Sequence, residues 1–193
     1  MTERLGVFGG TFDPPHFGHL AAARAARRVA ALDRVLFVPA GRPWQKSDRA
    51  VSSAEDRYRM TQLAIRDDEP AFAVSRVEVD RPGPSYTVDT LEALDRDGRD
   101  LFLVLGADAA AGIDTWHMPG RVCDLAVLAV VNRPESASPP ARPGCRTVDV
   151  DMEPVAVSAT EVRRRLRAGL DVSGLLPEQV AEYAQQRGLY GGR

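Results

Sequence analysis

The sequence predicts an α/β protein built on an open, mainly parallel, Rossmann-like sheet with helices on both faces and further helices at the C-terminus. Three observations predict it. Short apolar runs alternate with helix-forming stretches along the whole chain. The run at 101–105 is apolar without interruption, as strands covered on both faces are. The first run ends in Gly9-Gly10 just ahead of an alanine-rich stretch, which reads as strand, glycine turn and helix.

Residues 5–8 form the first predicted strand, and the alanine- and arginine-rich stretch 18–30 has high helix propensity. Residues 35–38 are β-rich and closed by Pro39, after which the polar segment 40–52, holding Gly41, Pro43 and Trp44, reads as a loop. Ser52 with Glu55 makes a capping box for a helix running to about Ile65. Residues 72–79 have strand character until Arg81-Pro82-Gly83-Pro84 breaks it, and 86–95 can be helical. Residues 125–131 repeat the pattern of 101–105, while 133–145 carries four prolines and reads as a mobile loop. Residues 147–150 suit one more strand, 158–168 a helix stopped by Gly169, and 177–186 a last helix stopped by Gly188. In such a sheet, ligands sit at the carboxyl ends of the strands, near the point where the strand order reverses.

With 193 residues, 44% of them hydrophobic and 27% charged, the chain has the size of one globular domain with a substantial core. A formal net charge of -2 offers no global attraction for nucleic acid or anionic membrane, so any anion site must be local. Charged Glu3 and Arg4 precede an apolar run too short for a signal peptide, and no stretch reaches membrane-spanning length; the expected location is the cytoplasm. Cys123 and Cys145 lack a CxxC spacing and are expected to be two reduced structural thiols. Lys46 is the only lysine among 25 basic residues, which draws attention to its loop.

Chemistry concentrates in Gly9-Gly10-Thr11-Phe12-Asp13-Pro14-Pro15-His16-Phe17-Gly18-His19. Glycines admit a phosphate to the backbone, Thr11 offers a hydroxyl, and a helix start adds N–H groups and a positive dipole. His16 and His19, three residues apart at that start, can face one anion. Metal ligation by the pair would need further ligands that the sequence does not supply nearby. Ser158 and Glu161 suit a capping box at a second helix start, and Gly106 and Asp108 follow the most hydrophobic strand. Of Arg163, Arg164, Arg165 and Arg167, successive residues point about 100° apart, so they cannot all face one ligand.

The eleven-residue run resembles the N-terminal signature of the HxGH nucleotidyltransferases, and Val157-Ser158-Ala159-Thr160-Glu161-Val162-Arg163 is similar to their C-terminal signature, with Ala159 where a second serine is usual. The resemblance to the nicotinate mononucleotide adenylyltransferases extends over nearly the whole chain, through Trp44-Gln45-Lys46, Gly83-Pro84-Ser85-Tyr86-Thr87, Gly106-Ala107-Asp108, Trp116 and Asn132-Arg133-Pro134. It implies catalytic roles for His16 and His19. It implies an ATP site formed by Gly9, Gly10, Thr11, Phe12, His19, Gly106, Asp108, Ser158, Thr160 and Arg163. The acceptor site would comprise Trp44, Lys46, Tyr86, Thr87, Trp116 and Arg133, with Trp116 stacked on the pyridine ring, the Tyr86-Thr87 segment holding the nicotinate carboxylate and Lys46 meeting the acceptor phosphate. Mg²⁺ is expected to be held mainly by substrate phosphates rather than by a protein cage. The implied reaction joins ATP and nicotinate mononucleotide into nicotinate adenine dinucleotide and pyrophosphate, in NAD biosynthesis; a homo-oligomer is compatible with it. The alternatives are phosphopantetheine adenylyltransferase, which shares both end signatures but lacks the Trp44/Lys46 and Tyr86/Thr87 segments, and a non-catalytic nucleotide sensor, which would need neither histidine.

Overall fold

The structure is a computed structural model that describes residues 2–43, 51–132 and 142–191. Among them, six parallel strands form one sheet: β1 (Glu3–Gly10), β2 (Arg34–Pro39), β3 (Phe72–Val74), β4 (Arg99–Gly106), β5 (Ala126–Asn132) and β6 (Thr147–Asp151). Their order is β3-β2-β1-β4-β5-β6. The chain builds outward from β1 to β3, then crosses back to lay β4 on the other side of β1. That reversal opens a crevice beyond the carboxyl ends of β1 and β4, where ligands bind in sheets of this kind.

Among the described residues, seven α-helices accompany the strands: α1 (Phe17–Val29), α2 (Ala54–Ile65), α3 (Thr87–Leu94), α4 (Ala107–Ala111), α5 (Pro119–Leu125), α6 (Ala159–Arg167) and α7 (Glu178–Gln186). Side chains alternate across the sheet, so the apolar run of β4 feeds two cores. Phe102 and Val104 join Leu20 and Ala23 of α1, Met60 of α2 and Val180 of α7. Leu101, Leu103 and Leu105 join Val88 and Leu91 of α3 and Val122 of α5 on the opposite face. Burying each of these larger side chains contributes about 1.5–3 kcal/mol, which is why the sheet is a rigid base for the loops at its carboxyl edge.

Several expectations shift. The 72–79 strand ends at Val74, because Arg76 pairs with Glu55 and with Asp80 four residues on, and the Asp80 N–H bonds back to the Arg76 carbonyl in a turn. Helix α2 is capped by Ser53, not Ser52: Ser53 Oγ accepts from the Asp56 N–H at 3.0 Å and donates to its carboxylate at 2.6 Å. At α6 the serine half of the capping box forms, but the Glu161 carboxylate turns to Arg164 and Arg165. Residues 119–125, whose end was read as the start of a strand, form α5.

The cysteines also depart from expectation. Cys123 on α5 and Cys145 ahead of β6 are joined in a disulfide, with Cα atoms 4.7 Å apart, rather than being two reduced thiols. Parallel pairing of Leu128 with Thr147 brings the segments leading into β5 and β6 together. A separation of 22 residues hid that proximity.

Candidate active site

Two cavities lie at the carboxyl edge of the sheet. The larger, about 950 Å³, is bordered by His16, Gly18 and His19 from the start of α1, by Ser158 and Glu161 from the start of α6, and by the chain just before α6. The smaller, about 220 Å³, is bordered by Gly9, Gly10 and Thr11 after β1, by Tyr86 and Thr87 at the start of α3, and by Trp116 with His117. Phe8 and Gly106, at the ends of β1 and β4, border both. The cavities therefore adjoin at the strand-order reversal.

The sequence around the histidines explains their arrangement. His16 is the N-cap of α1, in extended conformation, and His19 is in the first turn, so the rings stack with centroids 3.7 Å apart. A Cβ at Gly18 would come within 3.1 Å of His16 Nδ1 and of Val157 Cγ1, so the glycine lets the His16 ring lie against the helix start. The His16 N–H donates to His19 Nδ1 at 3.2 Å, which leaves Nε2 to carry the proton of a neutral His19 ring. His16 is 8% exposed, and its Nδ1 is without a hydrogen-bond partner. Burial lowers its pKa to about 4, only partly opposed by a backbone hydrogen bond, so this ring is neutral at pH 7. A buried, neutral histidine beside a helix start is poised to gain from an anion placed nearby.

At the second helix start, Ser158 Oγ accepts from the Glu161 N–H at 3.2 Å. Arg163 points back across the site, donating to the Asp13 carbonyl at 2.8 Å and to Thr160 Oγ1 at 3.3 Å. The two signatures, 150 residues apart in the chain, are thus bonded directly. Hydrogen bonds from Arg164 and Arg165 hold Glu161 at a pKa of about 2, so a carboxylate stands at the rim of the larger cavity.

The residues expected at the ligands are distributed unevenly over the two cavities. Gly9, Gly10 and Thr11, expected on the ATP side, border the smaller cavity. Phe12 has φ of 49° and is 2% exposed; its ring packs on Phe8, Phe37 and His19 and borders neither cavity. It supports the His19 ring instead. Asp108 is exposed on the first turn of α4 and, like Thr160 and Arg163, borders neither of these two cavities. Tyr86, Thr87 and Trp116 do come together around the smaller one. Trp44, Lys46 and Arg133 lie outside the described residues.

Sequence reasoning passed over four neighbours. His117 packs on Tyr86 with ring centroids 4.5 Å apart; the signal was its place beside Trp116. Glu78, 7% exposed, has its pKa raised by burial, while hydrogen bonds from Thr90 and Ser85 pull the other way. Arg57 and Tyr190 bond to the signature loop from α2 and from the C-terminal segment. Their contacts are too remote in sequence to leave a local pattern.

Residues 7–165 match the family model described as cytidylyltransferase-like. A protein of Acidothermus cellulolyticus named "Probable nicotinate-nucleotide adenylyltransferase" is 42% identical over 98% of this chain and 97% of its own length. One of Thermus thermophilus with the same name is 47% identical over 97% of this chain and 99% of its own. Among solved structures, the nicotinic acid mononucleotide adenylyltransferase of Plasmodium falciparum complexed with NaAD superposes with a TM-score of 0.83, covering 97% of each chain, at 14% identity, which speaks for the fold. A match over most of the chain, together with relatives above 40% identity along nearly its full length, means that the chain belongs to the cytidylyltransferase-like family and, within it, to the nicotinate-nucleotide adenylyltransferases.

Proposed function

We propose that this protein, acting as a single domain in the cytoplasm, transfers the adenylyl group of ATP to nicotinate mononucleotide, forming nicotinate adenine dinucleotide and releasing pyrophosphate. The observation that carries this reading is the pair of cavities meeting at Phe8 and Gly106. One has histidines and helix starts suited to phosphates; the other has aromatic rings and the start of α3 suited to a flat anionic ring.

A phosphate oxygen of the mononucleotide attacks the α-phosphorus of ATP in line. The new P–O bond forms as the bond from that phosphorus to the bridging oxygen breaks, and the electron pair leaves with pyrophosphate. The attacking phosphate is already ionised at neutral pH, so no strong base is needed and catalysis is positioning plus stabilisation of charge. His16 and His19 would donate to the triphosphate, as would the start of α6 with Ser158. Arg163 would exchange the Asp13 carbonyl for a phosphate oxygen. Trp116 and Tyr86 would sandwich or edge the pyridine ring, with Thr87 at its carboxylate and Lys46 and Arg133 at the acceptor phosphate. Mg²⁺, when bound, would neutralise part of the triphosphate charge, with phosphates and water as its main ligands.

The test is product identification by mass after mixing the protein with ATP, Mg²⁺ and, separately, nicotinate mononucleotide and phosphopantetheine. Dinucleotide and pyrophosphate with the first acceptor only is the expected result. Adenylylation of the second, or of neither, would overturn the assignment.

A further inference from the structure

Arg57, on α2, is a buried cation whose bonds go to backbone rather than to acids. It is 1% exposed, and burial lowers its pKa, an effect opposed through space by Asp13, Tyr190 and Glu78. Its Nη1 donates to the Thr11 carbonyl at 2.9 Å, its Nη2 to the Gly41 carbonyl at 3.2 Å and its Nε to the Ser52 carbonyl at 3.0 Å. Desolvating a guanidinium is costly, and a helix interior has no need of it. What the planar fork supplies is three fixed donors that reach three separate stretches of chain.

Those stretches have one thing in common. Thr11, just after β1, borders the smaller cavity. Gly41 and Ser52 are the two ends of the segment that follows β2. Other bonds run the same way: the Ser52 N–H donates to Asp13 Oδ2 at 3.4 Å, and the Tyr190 hydroxyl to Asp13 Oδ1 at 2.5 Å. Ser85 Oγ, next to Tyr86, accepts from the Gly41 and Arg42 N–H groups.

We propose that Arg57 is a positioning residue for adenylyl transfer: by gathering the carbonyls of Thr11, Gly41 and Ser52 it fixes both ends of the acceptor-side loop against the signature turn, and so sets the acceptor's placement relative to ATP. This rests on the reading of the smaller cavity as the acceptor site. Asp13 and Tyr190 complete the tie from the C-terminal segment. In-line transfer is sensitive to such placement, with a misplacement of about 1 Å able to cost roughly 100-fold in rate.

The test uses the full chain with Arg57→Lys, which keeps the charge but offers a single point donor in place of the fork. Expected are a kcat at least about tenfold lower and a KM for nicotinate mononucleotide at least about fivefold higher, with the Kd of ATP within about twofold of wild type. Amide exchange at 41, 42 and 52 should accelerate at least about tenfold while that of β1, β4 and α3 is unchanged. If Arg57→Lys does not fold, Tyr190→Phe serves, because Tyr190 borders neither cavity. It should raise the acceptor KM about threefold without changing the Kd of ATP. Unchanged exchange at 41, 42 and 52 in the folded lysine variant overturns the inference, as does an unchanged acceptor KM in Tyr190→Phe or a loss shared equally by ATP binding. A wild type inactive on the mononucleotide overturns instead the proposed function, since the exchange measurement reads the loop directly.

Discussion

Acidification should destabilise this protein through His16, by an amount set by the burial of its ring. The folded pKa is about 4, because burial of the ring, 8% exposed, outweighs a backbone hydrogen bond that raises it. In the unfolded chain the same group titrates near 6.5. Between those values the unfolded state binds a proton that the folded state refuses, so stability falls as the pH falls. Above 6.5 neither state is protonated and the contribution is whole; below about 4 both are protonated and it is gone. The full gap corresponds to roughly 3 kcal/mol, of which roughly 2 kcal/mol is lost between pH 7 and pH 5. Carboxylates titrate in the lower part of this range, so the measurement is a difference: urea unfolding of wild type and of His16→Gln at pH 7, 6 and 5. The difference between the two proteins should shrink or reverse by roughly 2 kcal/mol on going from pH 7 to pH 5. Parallel curves would refute the reasoning and mean that the ring is solvated or already paired in solution. If a triphosphate sits against the ring as proposed, ATP binding near pH 5.5 should also take up protons in the wild type and less so in His16→Gln, which calorimetry in buffers of different ionisation enthalpy reads.

Three further outcomes are expected. His19→Ala should lower kcat at least about 100-fold while changing the Kd of ATP by less than about fivefold, because its proposed role is to stabilise charge that develops during transfer; a kcat within twofold of wild type would exclude that role. Gly41→Ala should cost about 1–3 kcal/mol and raise the acceptor KM, since a Cβ there would lie 2.0 Å from the Glu78 carbonyl oxygen, a backbone atom that cannot swing aside; wild-type stability and kinetics would show that the two loops slip past each other freely. Nicotinate mononucleotide should be preferred over its amide counterpart by at least about tenfold in kcat/KM, worth about 1.4 kcal/mol, because the start of α3 at Thr87 favours an anion. Equal use of both acceptors would remove the carboxylate from that helix start, and selectivity lost in Trp116→Ala but kept in Thr87→Ala would exchange the two roles.

Local patterns carried most of the fold. The run at 101–105 reads as a doubly covered strand because all five residues are apolar, and all five are buried. Helix α5 was not legible: at seven residues, opening on Pro119 and Gly120, it offers no periodicity to detect, and its docking comes from Val122 and Cys123 in the core. The helix starts at His16 and Ser158 were legible from spacing and residue type, whereas Tyr86-Thr87 stood out only through the family resemblance. The place of the Phe12 ring was not legible: its backbone has φ of 49°, and the ring lies in the core against Phe8, Phe37 and His19. The bonds of Arg57 to Thr11 and of Tyr190 to Asp13 span 46 and 177 residues. Nothing in composition or spacing encodes such pairs; only the order of strands does.

The wall that the two cavities share at Phe8 and Gly106 bears on how the protein lets go of what it makes. Under the proposed function, substrates arrive as two molecules, each held by one compartment, whereas the dinucleotide would leave as one molecule held by both. Linking the halves turns the second binding event into an intramolecular one, so the product should be retained more tightly than either precursor. Its departure then becomes the slow event, and it should act as a competitive inhibitor against both substrates. Pyrophosphate, which that reading places on the histidine side, should compete with ATP alone.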